Sequence, residues 1–231
     1  EDLEFERFQI KAVSAIEEEL DRILKTRKQS RIQTIADMVI RNYGHLDEKI
    51  NFYQNLRSLE DYVSRHSLNV AILCAMITHV MNIRREEQYH TVCAALLHDM
   101  GKLKKHDDVY FGAPYSREDA IRNCETQEEA YSVIEDAFAT EGPAIRRICQ
   151  QAAGKQLDLF PEEGKESRYK MLEGSNVLLV ANRYDEITAM TLQGTAQSEV
   201  KAAQELLEHP EVYDPETVQA LLRSINILPP G

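Results

Sequence analysis

The residues of this 231-residue chain that could do chemistry gather at three places. The first is the run Leu96-Leu97-His98-Asp99-Met100-Gly101-Lys102. It ends a strongly apolar helical pattern, and Gly101 is expected to turn the chain, so that His98 and Asp99 can both reach one ion at the helix end. Imidazole nitrogen and carboxylate oxygen together suit Mn, Fe, Zn or a similar divalent ion. Lys102, one turn on, could neutralise phosphate charge or protonate a leaving oxygen. Spacing alone leaves the alternative of a charged helix terminus in solvent.

One pair of ligands cannot hold a catalytic metal, so partners must come from elsewhere. His66 stands at the start of a core helix, in Tyr62-Val63-Ser64-Arg65-His66-Ser67-Leu68-Asn69-Val70. It is either a ligand or a satisfied core or capping histidine. The third place is Val180-Ala181-Asn182-Arg183-Tyr184-Asp185. Asn182 and Asp185, three apart on one helical face, interrupt an apolar run. Buried, they need partners, and a metal or its water shell is one way to supply them. A surface pair with Arg183 is the other.

These places must be positioned by helices. Val13, Ile16, Leu20 and Ile23-Leu24 mark one helical stripe, and Ile32, Ile35 and Val39 a second, which Gly44 breaks. Leu46, Ile50, Tyr53 and Leu56 predict another amphipathic segment. From Asp61 a helix becomes apolar on nearly all sides, as a central core helix does. Tyr89, Val92-Cys93 and Leu96-Leu97 fit a helix that Gly101 would stop. Residues 102–119 read as irregular, and helical patterning returns through Ala130-Tyr131 until Gly142-Pro143. A short helix carries Ile145, Ile148 and Cys149, and residues 154–168 read as an exposed loop. A strongly apolar helix over 176–191 and two amphipathic ones near 198–208 and 215–226 close the chain.

Composition agrees with an all-α fold. Only 9 Gly and 7 Pro, and no Trp, leave little turn chemistry for an all-β protein. Hydrophobic residues at 43% and charged residues at 29% exclude wholesale disorder. The 27 Lys and Arg against 39 Asp and Glu give a net charge of −12, which argues against general nucleic-acid binding. The longest apolar run, residues 68–81, is shorter than the roughly 20 residues needed to cross a bilayer, so it reads as a core helix and no membrane segment is expected. Cys74, Cys93, Cys124 and Cys149 form no C-x-x-C pair, so reduced thiols and a cytoplasmic setting are expected. The chain opens on acidic residues without a signal peptide or Met, as a processed or excised piece would.

In order, these motifs resemble the HD superfamily of metal-dependent phosphohydrolases. The resemblance rests on Tyr62-x-x-x-His66-Ser67-x-Asn69-Val70, on Ala94-Ala95-Leu96-Leu97-His98-Asp99-Met100-Gly101-Lys102, and on Val177-Leu178-Leu179-Val180-Ala181-Asn182-Arg183-Tyr184-Asp185. Within the superfamily the chain is most similar to the HD-GYP branch, whose active members hydrolyse the bacterial second messenger cyclic di-GMP. The tail Tyr213-Asp214-Pro215-Glu216-Thr217-Val218 looks like that branch's last helix, and residues 225–231 resemble the lead into a short β segment, so the parent protein is expected to continue. The resemblance implies an HD-domain helical bundle over residues 56–231 with an N-terminal helical extension over 1–55, the latter either a dimerisation or signal-relay element or helices whose stripes serve core packing alone.

It also implies a site. The superfamily's metal ligands, His, His-Asp and a later Asp, fall on His66, His98, Asp99 and Asn182, a neutral residue in the last place. Asp99 and Lys102 take the catalytic positions, with Lys102, Arg183 and Asp185 toward a nucleotide or cyclic dinucleotide. The departures point away from an efficient enzyme. Gln150-Gln151 stands where HD-GYP enzymes have His-His, no Gly-Tyr-Pro follows, and Tyr62 replaces a Glu. The basic stretch that grips the dinucleotide is replaced near Thr191-Leu192-Gln193-Gly194. His106, the one histidine between Lys102 and Asn182, lies too near the His-Asp motif to replace those missing. A two-metal site with ions about 3.5–4 Å apart stabilises both attacking and leaving oxygens, whereas the set here holds one Fe, Mn or Zn ion or none. The expected function is therefore a degenerate, weak or non-catalytic signalling module with a protein partner or a second copy of itself. The alternative is an active mononuclear metal-dependent phosphohydrolase.

Overall fold

The computed structural model describes residues 2–29, 31–104, 116–165, 170–191 and 196–227. Among them the chain is all-α: α1 (Asp2–Thr26), α2 (Ile32–Tyr43), α3 (Tyr62–Val80), α4 (Arg85–Leu97), α5 (Arg117–Phe138), α6 (Gly142–Lys155), α7 (Glu173–Thr188), α8 (Glu199–Glu208) and α9 (Pro215–Ser224). α3 is the axis. Its apolar residues face every direction, so it can only be satisfied at the centre, and it packs against α1, α2, α4, α7 and α9. Val13, Ile16, Leu20 and Ile23 of α1 and Ile32, Ile35 and Val39 of α2 join the same hydrophobic core as α3, α4 and α7. No described helix is long and apolar enough to cross a membrane, and the four cysteines are free.

Two two-residue strands, β1 (Leu56–Arg57) and β2 (Met190–Thr191), pair in parallel with Leu56 opposite Met190 and Arg57 opposite Thr191. An isolated parallel bridge joins Ile50 to Ile225, where the sequence suggested a lead into β structure. These pairings correct the amphipathic segment expected over Leu46, Ile50, Tyr53 and Leu56. The chain there is not helical: Phe52 is buried, whereas Tyr53 and Leu56 are 44% and 55% exposed. The strap follows the sheet and bridge hydrogen bonds rather than a helical stripe, and it delivers Arg57 to the interior.

Other boundaries also moved. α5 begins at Arg117, thirteen residues before Ala130, because Ser116 and Asp119 form a capping box: the Ser116 hydroxyl accepts from the Asp119 amide at 3.1 Å and the Asp119 carboxylate accepts from the Ser116 amide at 3.2 Å. Such caps stabilise a helix by about 1 kcal/mol. The loop expected from residue 154 starts later, since α6 runs to Lys155 and a 3-10 turn continues over Gln156–Leu159 with Gln156 buried. α4 stops at Leu97, and a 3-10 turn spans Met100–Lys104. Gly101 serves close approach there, not a left-handed turn. A Cβ on it would lie 2.6 Å from the Thr126 carbonyl oxygen of α5.

Candidate metal centre

The centre forms where the start of α3, the end of α4 and the middle of α7 meet. Nδ1 of His66 lies 2.6 Å from Asp185 Oδ2. A carboxylate can only accept, so Nδ1 carries the hydrogen and Nε2 presents a lone pair in the neutral ring. Nδ1 of His98 is likewise 2.6 Å from the Ala95 carbonyl oxygen, which leaves its Nε2 bare. The two Nε2 atoms are 3.1 Å apart, and they stand 2.8 and 2.9 Å from Asn182 Oδ1. Three lone pairs therefore converge, an arrangement that a cation would hold together.

The geometry fits a divalent ion. Adjacent ligands on a six-coordinate ion with bonds of about 2.1 Å lie about 3.0 Å apart, close to the three separations here. Asp99 borders the same space, with Oδ2 3.4 Å from His66 Nε2 and Oδ1 3.6 Å from His98 Nε2. Ligand atoms of His66, His98 and Asp99 all lie within 4.8 Å of one another. His66, His98, Asp99 and Asn182 would hold the ion, and it would supply Lewis acidity toward a phosphate oxygen or a bound water.

Burial opposes charge on His66, but its hydrogen bond to Asp185 and the fields of Asp99 and Asp185 outweigh this and raise its pKa. Burial, with the neighbouring His66, lowers that of His98 despite Asp99. Asp99 is held well below the usual carboxylate range: burial works against this, but the charges of Lys102, His98 and His66 prevail. Lys102 Nζ donates to Asp99 Oδ2 at 3.1 Å, and Gln127 Nε2 of α5 donates to Oδ1 at 3.1 Å.

Behind His66 lies a second buried layer. Asp185 forms a two-pronged pair with Arg57, with Nη1 to Oδ2 and Nη2 to Oδ1 both at 2.7 Å. Their side chains are 0% and 1% exposed. Burial again opposes the charge on Asp185, but Arg57 and the His66 bond hold its carboxyl far below the ordinary range. Arg57 also lies over the Tyr62 ring, 5.2 Å from its centroid, and Tyr62 stacks on His66 at 5.6 Å. Asn69 Nδ2 donates to Asp185 Oδ1 at 3.1 Å, and Gln9 of α1 donates to Asn69 at 3.3 Å.

The structure thus brings His66, His98, Asp99, Asn182 and Lys102 together. Asp185 and Arg183, expected on substrate, sit in buried ion pairs that would have to open first. Arg183 points to α8, with Nη2 2.7 Å from Glu205, and its Nη1 is 3.3 Å from Glu186. Gln151 is not at the centre: its Oε1 accepts from the Leu172 amide at 2.9 Å and the Ser175 hydroxyl at 2.8 Å, fastening the start of α7. His106, and positions 192–194 of the replaced basic stretch, lie outside the described residues. A cavity of 20 Å³ lies against His98, Asp99 and Asn182 and is lined also by Asn123, Gln127 and Gln156.

Arg57, Gln127 and Glu186 were missed from the sequence. A lone Arg in Asn55-Leu56-Arg57-Ser58 carries no signal of burial. The need of Asp185 for a partner was visible, but not which cation meets it. Glu186 was findable in principle, as an acid one turn after Asn182 on the same helical face.

A family profile described as HD domain matches residues 63–190. Searches of curated proteins and of solved structures returned no match. The profile spans more than half the chain and contains the His66, His98-Asp99 set that the folded protein assembles into one cluster, and so the chain belongs to the HD domain family.

Proposed function

We propose that this chain is a degenerate HD-GYP-like domain, a weak or non-catalytic signalling module that keeps a site for one divalent ion. The observation that carries the reading is closure. The side chains of His66, Asp99 and His98 are 0%, 4% and 10% exposed, and the adjoining cavity of 20 Å³ has room for about one water. A phosphodiester needs far more space. The amide of Asn182 adds no charge to the ligand set, which favours one ion over the pair used for in-line displacement.

The N-terminal helices, residues 1–55 in this reading an extension upon the HD domain of 56–231, are suited to relay. Gln9 of α1 reaches His66 through Asn69 and Asp185, so a shift of α1 has a hydrogen-bonded route to the centre. A protein partner or a second copy docking on α1 would use it.

The test is elemental analysis of protein purified without chelator or nickel resin, beside a hydrolysis assay on cyclic di-GMP and on nucleoside phosphates. About one Fe, Mn or Zn per chain, lost in His98→Ala, with no turnover that depends on His98, is the expected result. Rapid hydrolysis abolished by His98→Ala would replace this reading with a mononuclear phosphohydrolase.

A further inference from the structure

The amide of Asn182 faces the histidines the wrong way round for its own comfort. In the state that binds an ion both Nε2 atoms beside it are bare acceptors, so a carboxamide with no other partner would turn its NH2 toward them. Instead Oδ1 faces them at 2.8 and 2.9 Å, and Nδ2 donates to Glu186 Oε1 at 3.0 Å. Glu186 is 8% exposed, and its other oxygen, Oε2, accepts from Arg183 Nη1 at 3.3 Å. Arg183 is held in turn by two hydrogen bonds to Glu205 of α8, at 3.1 and 2.7 Å.

From this chain we infer that Glu186 is a positioning residue for the metal centre: it locks the carboxamide of Asn182 so that oxygen, not NH2, faces the ion. The inference rests on the metal reading above and deepens it. Both oxygens of a carboxylate accept, so Glu186 satisfies Arg183 on one side and demands NH2 from Asn182 on the other. The arrangement lets a neutral amide stand in a place where an aspartate would need no orientation, since both its ends are oxygen. The negative charge sits one turn further along α7, behind the Asn182 carboxamide and hydrogen-bonded to its NH2.

The lock predicts how a conservative change behaves. In Glu186→Gln, Arg183 still requires oxygen on its side, so the new NH2 faces Asn182. The Asn182 amide must then flip, and its own NH2 enters the space of the ion. Changes in residues that orient ligands cost about 10–100-fold in metal affinity, and a loss in that range is expected. In the Asn182→Asp background the NH2 of Gln meets a carboxylate oxygen, no flip exists, and Glu186→Gln should change metal affinity less than about threefold.

The experiment is Mn, Fe and Zn titration of the four proteins of this cycle by calorimetry, with thermal unfolding of each metal-free protein to establish that it is folded. A loss confined to the Asn182 background supports the lock. An equal loss in both backgrounds would mean that Glu186 acts only through its charge, and the inference would fall while the metal site stood. Should Glu186→Gln alone not fold, the comparison passes to Glu186→Asp. Its shorter carboxylate keeps two acceptors, so a metal affinity near wild type supports the lock and a loss as large as that of an apolar replacement, Glu186→Leu, overturns it. No metal in wild type or any variant would overturn both this inference and the reading it rests on.

Discussion

α3 carries one histidine near each end, and the two sit in opposite environments. His66 and His79 are thirteen residues apart, about 20 Å along a helix. Each has an aspartate close to one ring nitrogen, Asp185 at 2.6 Å from His66 and Asp47 at 2.8 Å from His79. His66 is 0% exposed and its carboxylate is shared with Arg57, whereas Asp47 is 90% exposed. His79 and His45 border an open cleft of 1030 Å³ with Arg41, Arg85, Asp37 and Glu86, and His66 and His98 converge beside a cavity of 20 Å³. The same residue types at similar distances therefore mean different things. Burial turns a hydrogen bond into a constraint on tautomer and position, and exposure leaves it exchangeable with water.

The largest effect that could break this comparison comes from Asp185→Asn. It leaves the Arg57 guanidinium in a dry interior without its counter-charge, and removing one partner of a buried pair costs about 3–5 kcal/mol. Urea unfolding of the metal-free protein measures it. A loss below 1 kcal/mol would mean that water enters behind His66 and that the two ends of α3 are not so unlike.

Acid titration is the next in size. Asp185 and Asp99 both have folded pKa values below the usual range, so each contributes stability above the unfolded value of about 3.9. That stability is lost as pH falls from there toward the folded values. The histidines work at higher pH and in opposite senses. The raised value of His66 gives stability that is lost as pH rises through it, and the lowered value of His98 gives stability that is lost as pH falls from about 6.5 through it. The urea midpoint should therefore fall steeply below about pH 4, and less steeply in Asp185→Asn. Identical acid limbs in the two proteins would show that Asp185 is not the group responsible.

The same contrast explains what the sequence could tell. His98 and Asp99 were legible as a pair at a helix end and Asn182 as a polar break in an apolar run, whereas His66, and the grouping of all four as one set, followed from the resemblance to the HD superfamily. Such patterns report which side of a helix faces inward. They do not report what stands across from it. Arg57 arrives from a two-residue strand whose apolar neighbours, Tyr53 and Leu56, are exposed, so periodicity pointed to a helix and away from a buried cation. Arg183 and Asp185 looked like polar groups awaiting a ligand, because the chain that answers them lies more than 120 residues away for Asp185 and on α8 for Arg183. The start of α5 was written in Ser116-Arg117-Glu118-Asp119, a capping signal that an apolar-stripe reading passes over.

The smallest expected effect belongs to the other end of α3. Asp47→Asn removes the partner of His79, yet exposed pairs contribute about 0–1 kcal/mol and are screened by salt over about 8–10 Å. Unfolding at low and at physiological salt should place the variant within about 1 kcal/mol of wild type, with any difference shrinking as salt rises. Metal content should be untouched, since no ligand of the centre lies there. A loss of 2 kcal/mol or more, insensitive to salt, would require the cleft lined by Arg41, His45 and His79 to be closed in solution. The pair at the far end of α3 would then be constrained by burial just as His66 is, and the asymmetry that places the chemistry at one end of the helix would disappear.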